Sequence, residues 1–470
     1  MSRAGIIISL ALAGCGAPGY RAPEVPIPAA FRETRDTIVE TPATLSALPD
    51  TVSPEDVHDT TLARLLNEAA RANLDVRAAE ARVRGARAAR SEASFDLAPT
   101  VTVGGGYTRQ QISSAAFPIA GPAFPDQNIW DAGFDASWEL DLFGRVRRTV
   151  QAQSAFVAVN QEDLRNVRVS LSAEVARAYF ELRGAQEQLS VATKNAANQQ
   201  RTLEVTRQRL EAGRGTAFDT ERAQAQLSFT LASIPSLEAQ VRQAQYQIGV
   251  LVGRPPAALA GELDASVALP VLPAAISVES PDSIIRRRPD VVAAERQLAV
   301  ERALVGAAKA DYLPRINLGG SAGYTALSFD ALGDGGTFRY AVGPFISWPA
   351  LNLGRVKARV DVTRAREAEA QAQYSQTVLL ALQEVENTLV RYRTAHSRME
   401  RIRDAAEASE RAAELARLRF SGGVADFLQV LDAERTQLEA QDQLAQSRTN
   451  AATAYAALYK ALGGTWPSAN

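Results

Sequence analysis

Residues 353–420 contain no proline, and after Gly354 no glycine occurs until Gly422. Alanine, arginine, glutamate, glutamine and leucine dominate this stretch, and all of them are strong helix formers. At 1.5 Å per residue a helix of that length is a rod of about 100 Å, whereas a compact domain is only about 30 Å across. Such a rod cannot be wrapped inside one domain, so it has to span something.

Its partners are written in its spacing. Val378, Leu382, Val385, Leu389, Tyr392, His396 and Met399 follow one another at steps of four and three, the seam of a coiled coil. An ordinary amphipathic helix on a globular core rarely runs past about 25 residues without caps, which favours a spanning coiled coil. Gly422 and Gly423 break the rod, and residues 425–462 return from it as a shorter helix.

The chain has 470 residues, aromatics make up only 6%, and the formal net charge is -2. Alanine at helix seams suits close helix packing. Arg and Glu interleave along the helices as solvated surface, so no basic face is offered to nucleic acid. The single cysteine, Cys15, follows the apolar run Ile6-Ile7-Ile8-Ser9-Leu10-Ala11 and then Leu12-Ala13-Gly14. This pattern resembles a bacterial lipobox, which implies a signal peptide at 1–14, cleavage before Cys15 and acylation of that cysteine. Gly16 next to it, in place of aspartate, favours the outer membrane. No apolar run approaches the ~20 residues of a transmembrane helix, so any crossing must be made by strands.

Residues 15–56 are rich in proline and read as an extended, lipidated tether. The first repeat, residues 57–254, then opens with a helix from about Thr61 to Asp96 and continues into two strands, at about 98–112 and 128–141. In the second strand Trp130, Ala132, Phe134, Ala136, Trp138 and Leu140 alternate with Asp131, Gly133, Asp135, Ser137 and Glu139. One face is apolar and the other acidic or small, with aromatics near both ends, as in a transmembrane barrel strand. A long helix at 144–211 carries the seam Leu171, Val175, Ala178, Leu182, Ala185, Leu189 and Ala192, breaks at Gly213 and Gly215, and returns over 216–252. A proline-punctuated linker occupies 255–281.

The pattern then runs again over 282–464, before a tail at 465–470. Asp290-Val291-Val292-Ala293-Ala294-Glu295 matches Asp75-Val76-Arg77-Ala78-Ala79-Glu80, Trp348 matches Trp138, and Gly423 matches Gly213. The second repeat has a helix at 282–311, strands at about 314–328 and 337–349, the long helix at 353–420 and the return helix at 425–462. The two shorter helices end to end equal the long one, which puts all strands at one end and the glycine turns at the other. Four strands cannot close a barrel, whose smallest membrane forms have about eight, and an unpaired edge is forbidden in lipid. The chain must pool its strands with copies of itself.

Taken together these segments resemble the TolC-like outer-membrane efflux factors, in the lipoprotein branch that serves resistance-nodulation-division pumps. The resemblance is carried by the lipobox at Cys15, by Arg287-Arg288-Pro289-Asp290-Val291 with Ala294-Glu295, by Phe427-Leu428-Gln429-Val430-Leu431-Asp432-Ala433-Glu434-Arg435, and by Leu458-Tyr459-Lys460-Ala461-Leu462-Gly463-Gly464. It implies a mainly α chain with transmembrane β: a homotrimer with four strands per chain forming one twelve-stranded β-barrel, continued by a hollow periplasmic α-barrel. It also implies docking of the helix tips, around Gly213, Gly215, Gly422 and Gly423, to a periplasmic adaptor and an inner-membrane pump.

The family closes its tunnel where the helices of the second repeat converge. Carried over by motif, Leu428 would form an apolar ring and Asp432 an acidic one facing the lumen, with Arg435 a turn further on; Asp219 and Asp426 are weaker lumen candidates. A carboxylate repeated about a narrow axis attracts cations and repels anions. Some relatives have Tyr-Arg before the turn where this chain has Phe420-Ser421, so their latch is either absent here or replaced, with Arg419 the candidate replacement.

No catalytic constellation is present. His58 and His396 are far apart in sequence, and Gly104-Gly105-Gly106 lacks the strand-loop-helix order of a phosphate loop. The expectation is a passive duct that needs no cofactor beyond the lipid on Cys15. The alternatives are a lipid-anchored structural coiled coil without a pore, for which four amphipathic strands would have no use, and a type I protein-secretion duct.

Overall fold

A computed structural model describes residues 25–33, 59–112, 125–272 and 278–464. Cys15, the signal peptide, most of the tether and the tail lie outside the described residues. The chain runs α1 (Thr60–Ala72), α2 (Leu74–Phe95), β1 (Thr100–Gln110), β2 (Gln127–Leu140), α3 (Arg145–Glu211) and α4 (Ala217–Leu251). After a short helix α5 (Ala260–Leu263) it repeats as α6 (Pro281–Arg287), α7 (Pro289–Ala310), β3 (Arg315–Ala326), β4 (Phe338–Ser347), α8 (Leu353–Ser421) and α9 (Phe427–Ala461).

The two long helices, of 67 and 69 residues, are the frame. On the barrel side α2 packs on α3, α3 on α7 and α7 on α8; on the tip side α4 packs on α3, α3 on α9 and α9 on α8. Hence α7 and α9 share the groove between the long helices, one above the other, and every level is a layer four helices wide. The coiled-coil seams are buried: Val175, Ala178 and Leu182 of α3 and Val378 and Val385 of α8 have no exposed surface. Where the levels meet, Tyr179, Phe180, Leu182, Ile248, Tyr455 and Leu458 form the main core.

Both helices expected before the strands are interrupted. Asn73 is extended at ψ 136°, and its side chain accepts from the amides of Asp75 and Val76, capping α2. Its amide also donates to Leu251 O at 2.9 Å, which ties the break to the end of α4. In the second repeat Arg288 precedes Pro289 and leaves the helical region at ψ 121°, as the proline ring requires. Two stretches read as connectors also contribute to the core: Phe31, in the proline-rich tether, is 1% exposed, and Leu259 and Leu263, in the linker, are fully buried.

The strands form one antiparallel sheet in the order β1-β2-β3-β4. Between β2 and β3, Gly133 lies opposite Gly323, so close that a Cβ on Gly133 would sit 2.7 Å from Ala322 O. Side chains alternate as the period of two dictates. Val101, Val103, Phe134, Tyr340, Val342 and Ile346 are exposed on one face. On the other, Arg339 of β4 reaches across β3 to Asp131 of β2 at 2.7 and 2.8 Å and to Thr325 at 2.9 Å. At the helical end Trp138 Nε1 donates to Leu97 O and Trp348 Nε1 to Tyr312 O, both at 3.0 Å, so the two repeats are stapled in the same way. The outer edges of β1 and β4 have no strand partner among the described residues. None of the described helices is long and apolar enough to cross a membrane.

Candidate channel gate and its supports

Each hairpin turns on a glycine that has to be a glycine. Gly213 and Gly423 have φ of 67° and 75°, the left-handed region that a side chain disfavours. The turns close identically: Gly213 N–H donates to Leu210 O and Arg214 N–H to Arg209 O, as Gly423 N–H does to Phe420 O and Val424 N–H to Arg419 O. This satisfies the orphan carbonyls of the long helices. Gly215 packs against Leu210 and Arg209, and Gly422 caps α8 in a helical conformation.

Beyond the turn, α9 has two faces. Phe427, Val430, Glu434 and Gln437 are buried, while Leu428, Asp432 and Arg435 are exposed and, at steps of four and three, share one stripe. Leu428 leaves 52% of its surface uncovered. Arg435 pairs with Glu439 at 3.5 Å on the same helix. Asp426 accepts from Gln429 N–H at 3.1 Å as the cap of α9. Asp219 N–H donates to the Thr216 hydroxyl at 3.2 Å, and that hydroxyl donates back to the Asp219 carboxylate at 2.6 Å, capping α4. Leu428, Asp432 and Arg435 are thus brought together on one helix, whereas Asp219 and Asp426 are engaged in capping the two return helices.

The tips are joined by a residue that the sequence reading overlooked. The guanidinium of Arg209 on α3 lies 4.0 Å from the ring centroid of Phe420 and donates to the Phe420 carbonyl at the end of α8, with Ser421 O at 3.4 Å. A cation at a helix C-terminus and over an aromatic face is favourable on both counts. Arg419, the expected replacement, is exposed. The duplication held the clue, since Arg209 and Arg419 each stand four residues before their turn glycine.

Above the tip a ladder of polar contacts crosses the seam between the hairpins. Thr202 donates to Glu434 at 2.8 Å, Asn195 to Gln441 at 3.0 Å, Gln188 to Asp442 at 2.8 Å, and Arg448 pairs with Glu187 at 2.5 Å. Gln199 is buried in this seam with neither side-chain atom bonded to protein. Near the tip these polar contacts give way to one apolar cluster that spans both hairpins, Leu203 and Leu227 from one and Phe420, Phe427 and Val430 from the other. The seam closes at Gly184, where the backbone of α3 touches Thr449 and leaves no room for a Cβ.

The Arg287-Arg288-Pro289-Asp290 motif supports the other end of α9. Arg287 donates to Leu462 O and Arg288 to Ala461 O, each at 2.7 Å, capping the last turn of that helix. Burial works against the charge of Arg288, but Asp290 at 2.8 Å and Glu384 at 2.6 Å outweigh it and raise its pKa. His396 is half-buried beside Tyr392, and no cluster of metal-ligating side chains occurs among the described residues.

Known proteins share both sequence and shape with this chain. It is 30% identical to the probable efflux pump outer membrane protein SepC of Pseudomonas putida over 98% of this chain and 96% of that one. It is 28% identical to the probable outer membrane lipoprotein SilC of Salmonella typhimurium over 97% and 96% of the two chains. The solved outer-membrane channel OprN superposes with a TM-score of 0.86 at 37% identity, covering 96% of this chain and 99% of that one. The sequence pattern of the family described as outer membrane efflux protein spans residues 65–254 and 280–464, one block for each repeat, and the chain belongs to that family.

Proposed function

We propose that three copies of this chain build the outer-membrane exit duct of a tripartite efflux assembly. The duct passively conducts small molecules that an inner-membrane pump expels through a periplasmic adaptor. The observation that carries this reading is the pair of bare edges on β1 and β4, which lipid tolerates only if the sheet closes through other copies. The helical layer is likewise open at both sides. Phe229 and Val250 on α4 and Leu379, Leu380, Leu415 and Leu418 on α8 are half or more exposed apart from any neighbour. These apolar side chains are suited to packing α4 of one copy against α8 of the next. Anchoring through a lipid on Cys15 agrees with the name of the relative SilC as a lipoprotein.

In the closed duct Leu428 and Asp432 narrow the axis. Opening swings α8 and α9 away from α3 and α4, about the close contact of Gly184 with Thr449. The moving boundary carries hydrogen bonds, each of which changes the free energy by only about 1 kcal/mol when exchanged for water, and near the tip an apolar cluster that has to part as well. Arg209 holds the boundary shut at the tip.

The test is conductance of the purified, lipidated protein in planar bilayers. Wild type is expected to conduct weakly as a heat-modifiable trimer, and both Arg209→Ala and the pair Leu428→Ala, Asp432→Ala to raise open-channel current several-fold. A monomer that needs no detergent, or silence of all three proteins, overturns the reading.

A further inference from the structure

The four strands carry six charged residues, and five of them are neutralised. Arg109 pairs with Asp126 at 2.9 Å, Asp131 with Arg339 at 2.7 Å, Glu139 with Arg145 at 2.7 Å, and Arg315 with Asp311 at 2.6 Å. Asp135 alone has no ion pair among the described residues. It stands four residues from Asp131 on β2 and therefore on the face that carries the Asp131–Arg339 pair, opposite to exposed Phe134 and Val103.

The residues directly across from it are small and uncharged. In register with Asp135 are Thr102 on β1 and Ser321 on β3, with Ala341 beyond on β4. The Thr102 hydroxyl donates to the main-chain carbonyl of Asp135 at 3.3 Å, leaving the carboxylate free. The row on one side is Gly104, Gly133, Gly323 and Arg339, and on the other Thr100, Ser137, Gly319 and Gly343. Arg339 is the one long side chain in these rows, and its guanidinium is held by Asp131. Among the described residues this stretch of wall carries one unpaired negative charge.

We propose that Asp135 sets the charge preference of the barrel lumen, a carboxylate filter at the membrane exit separate from Asp432 at the tip. This rests on the duct reading, in which symmetry repeats the charge around one lumen. Carboxylates ringed about a water-filled path raise local cation concentration and oppose anions. The compounds favoured at the exit are then cationic, and the pairing of Asp131 with Arg339 keeps the next level neutral.

The experiment is the reversal potential of the full-length protein in planar bilayers under a KCl gradient. It is made in the Leu428→Ala, Asp432→Ala background, which opens the tip and removes its carboxylate. Cation preference is expected to persist there, to fall severalfold toward about equal permeability in Asp135→Asn, and to invert in Asp135→Lys. Unchanged selectivity in both, with conductance retained, overturns the filter and leaves the duct standing. Silence of every variant, with the heat-modifiable oligomer intact on gels, overturns the duct and the filter with it.

Discussion

Arg288 joins three elements through one side chain, so its removal is felt in all three. Its guanidinium holds the last turn of α9, the first turn of α7 and the middle of α8 through Ala461 O, Asp290 and Glu384. Arg288→Met is expected to lower unfolding free energy by about 2–3 kcal/mol, because two carboxylates and a helix end lose a charged partner. Detergent-solubilised thermal melts check this, with Arg288→Lys recovering part of the loss. Tyr179 gives a pH signature. Burial, reinforced by the hydrogen bond its phenol donates to Asp59, pushes its pKa up to about 12. A raised pKa favours the protonated phenol in the folded state, so the stabilisation is complete below the unfolded value of about 10 and is lost as pH rises toward 12. Stability measured by urea titration is therefore expected to fall between these pH values in wild type and to fall less in Tyr179→Phe.

At the scale of elements, the seam between α3 and α9 is held to one spacing by the absence of a side chain at Gly184. A Cβ there would overlap the Thr449 hydroxyl, so Gly184→Ala is expected to destabilise by about 1–3 kcal/mol through overpacking. Thr449→Gly in the same chain is expected to restore most of it, and a double-mutant cycle of melts measures the coupling. The long helices were legible because nothing in residues 355–421 can stop a helix, and the strands because period two admits no other reading. The breaks at Asn73 and Arg288 were less visible. Each is one residue wide, and at Asn73 the flanking Leu74 and Asp75 are tolerated inside a helix. Leu428 and Asp432 were named through the family's motif, and the structure sets them on one exposed stripe. Arg209 was not, since what an arginine on one hairpin can reach depends on the distance to the other hairpin, and no local pattern encodes that. Phe31 escaped for a related reason: a proline-rich composition forecasts extension correctly but says nothing of what an extended segment lies against.

For the whole molecule the decisive geometry is that the sheet and the helical layer share the same two open sides. Cysteines placed one at a time and in pairs at Val101 or Val103 on β1 and Val342 or Ile346 on β4 are expected to give oxidised trimers only in the paired variants. Denaturing gels without reductant read this directly, and ladders beyond three would show that the ring does not close. The docked segment at residues 25–33 has a further consequence. Arg32 N–H donates to Glu386 Oε1 at 2.8 Å and Glu33 N–H to the same carboxylate at 3.3 Å, contacts that span 354 and 353 residues. A segment made early in synthesis thus stays without its site until the second repeat exists, and loop closure over that length places its docking late in folding. Protection of these two amides against hydrogen exchange is therefore expected only in chains that extend past Glu386.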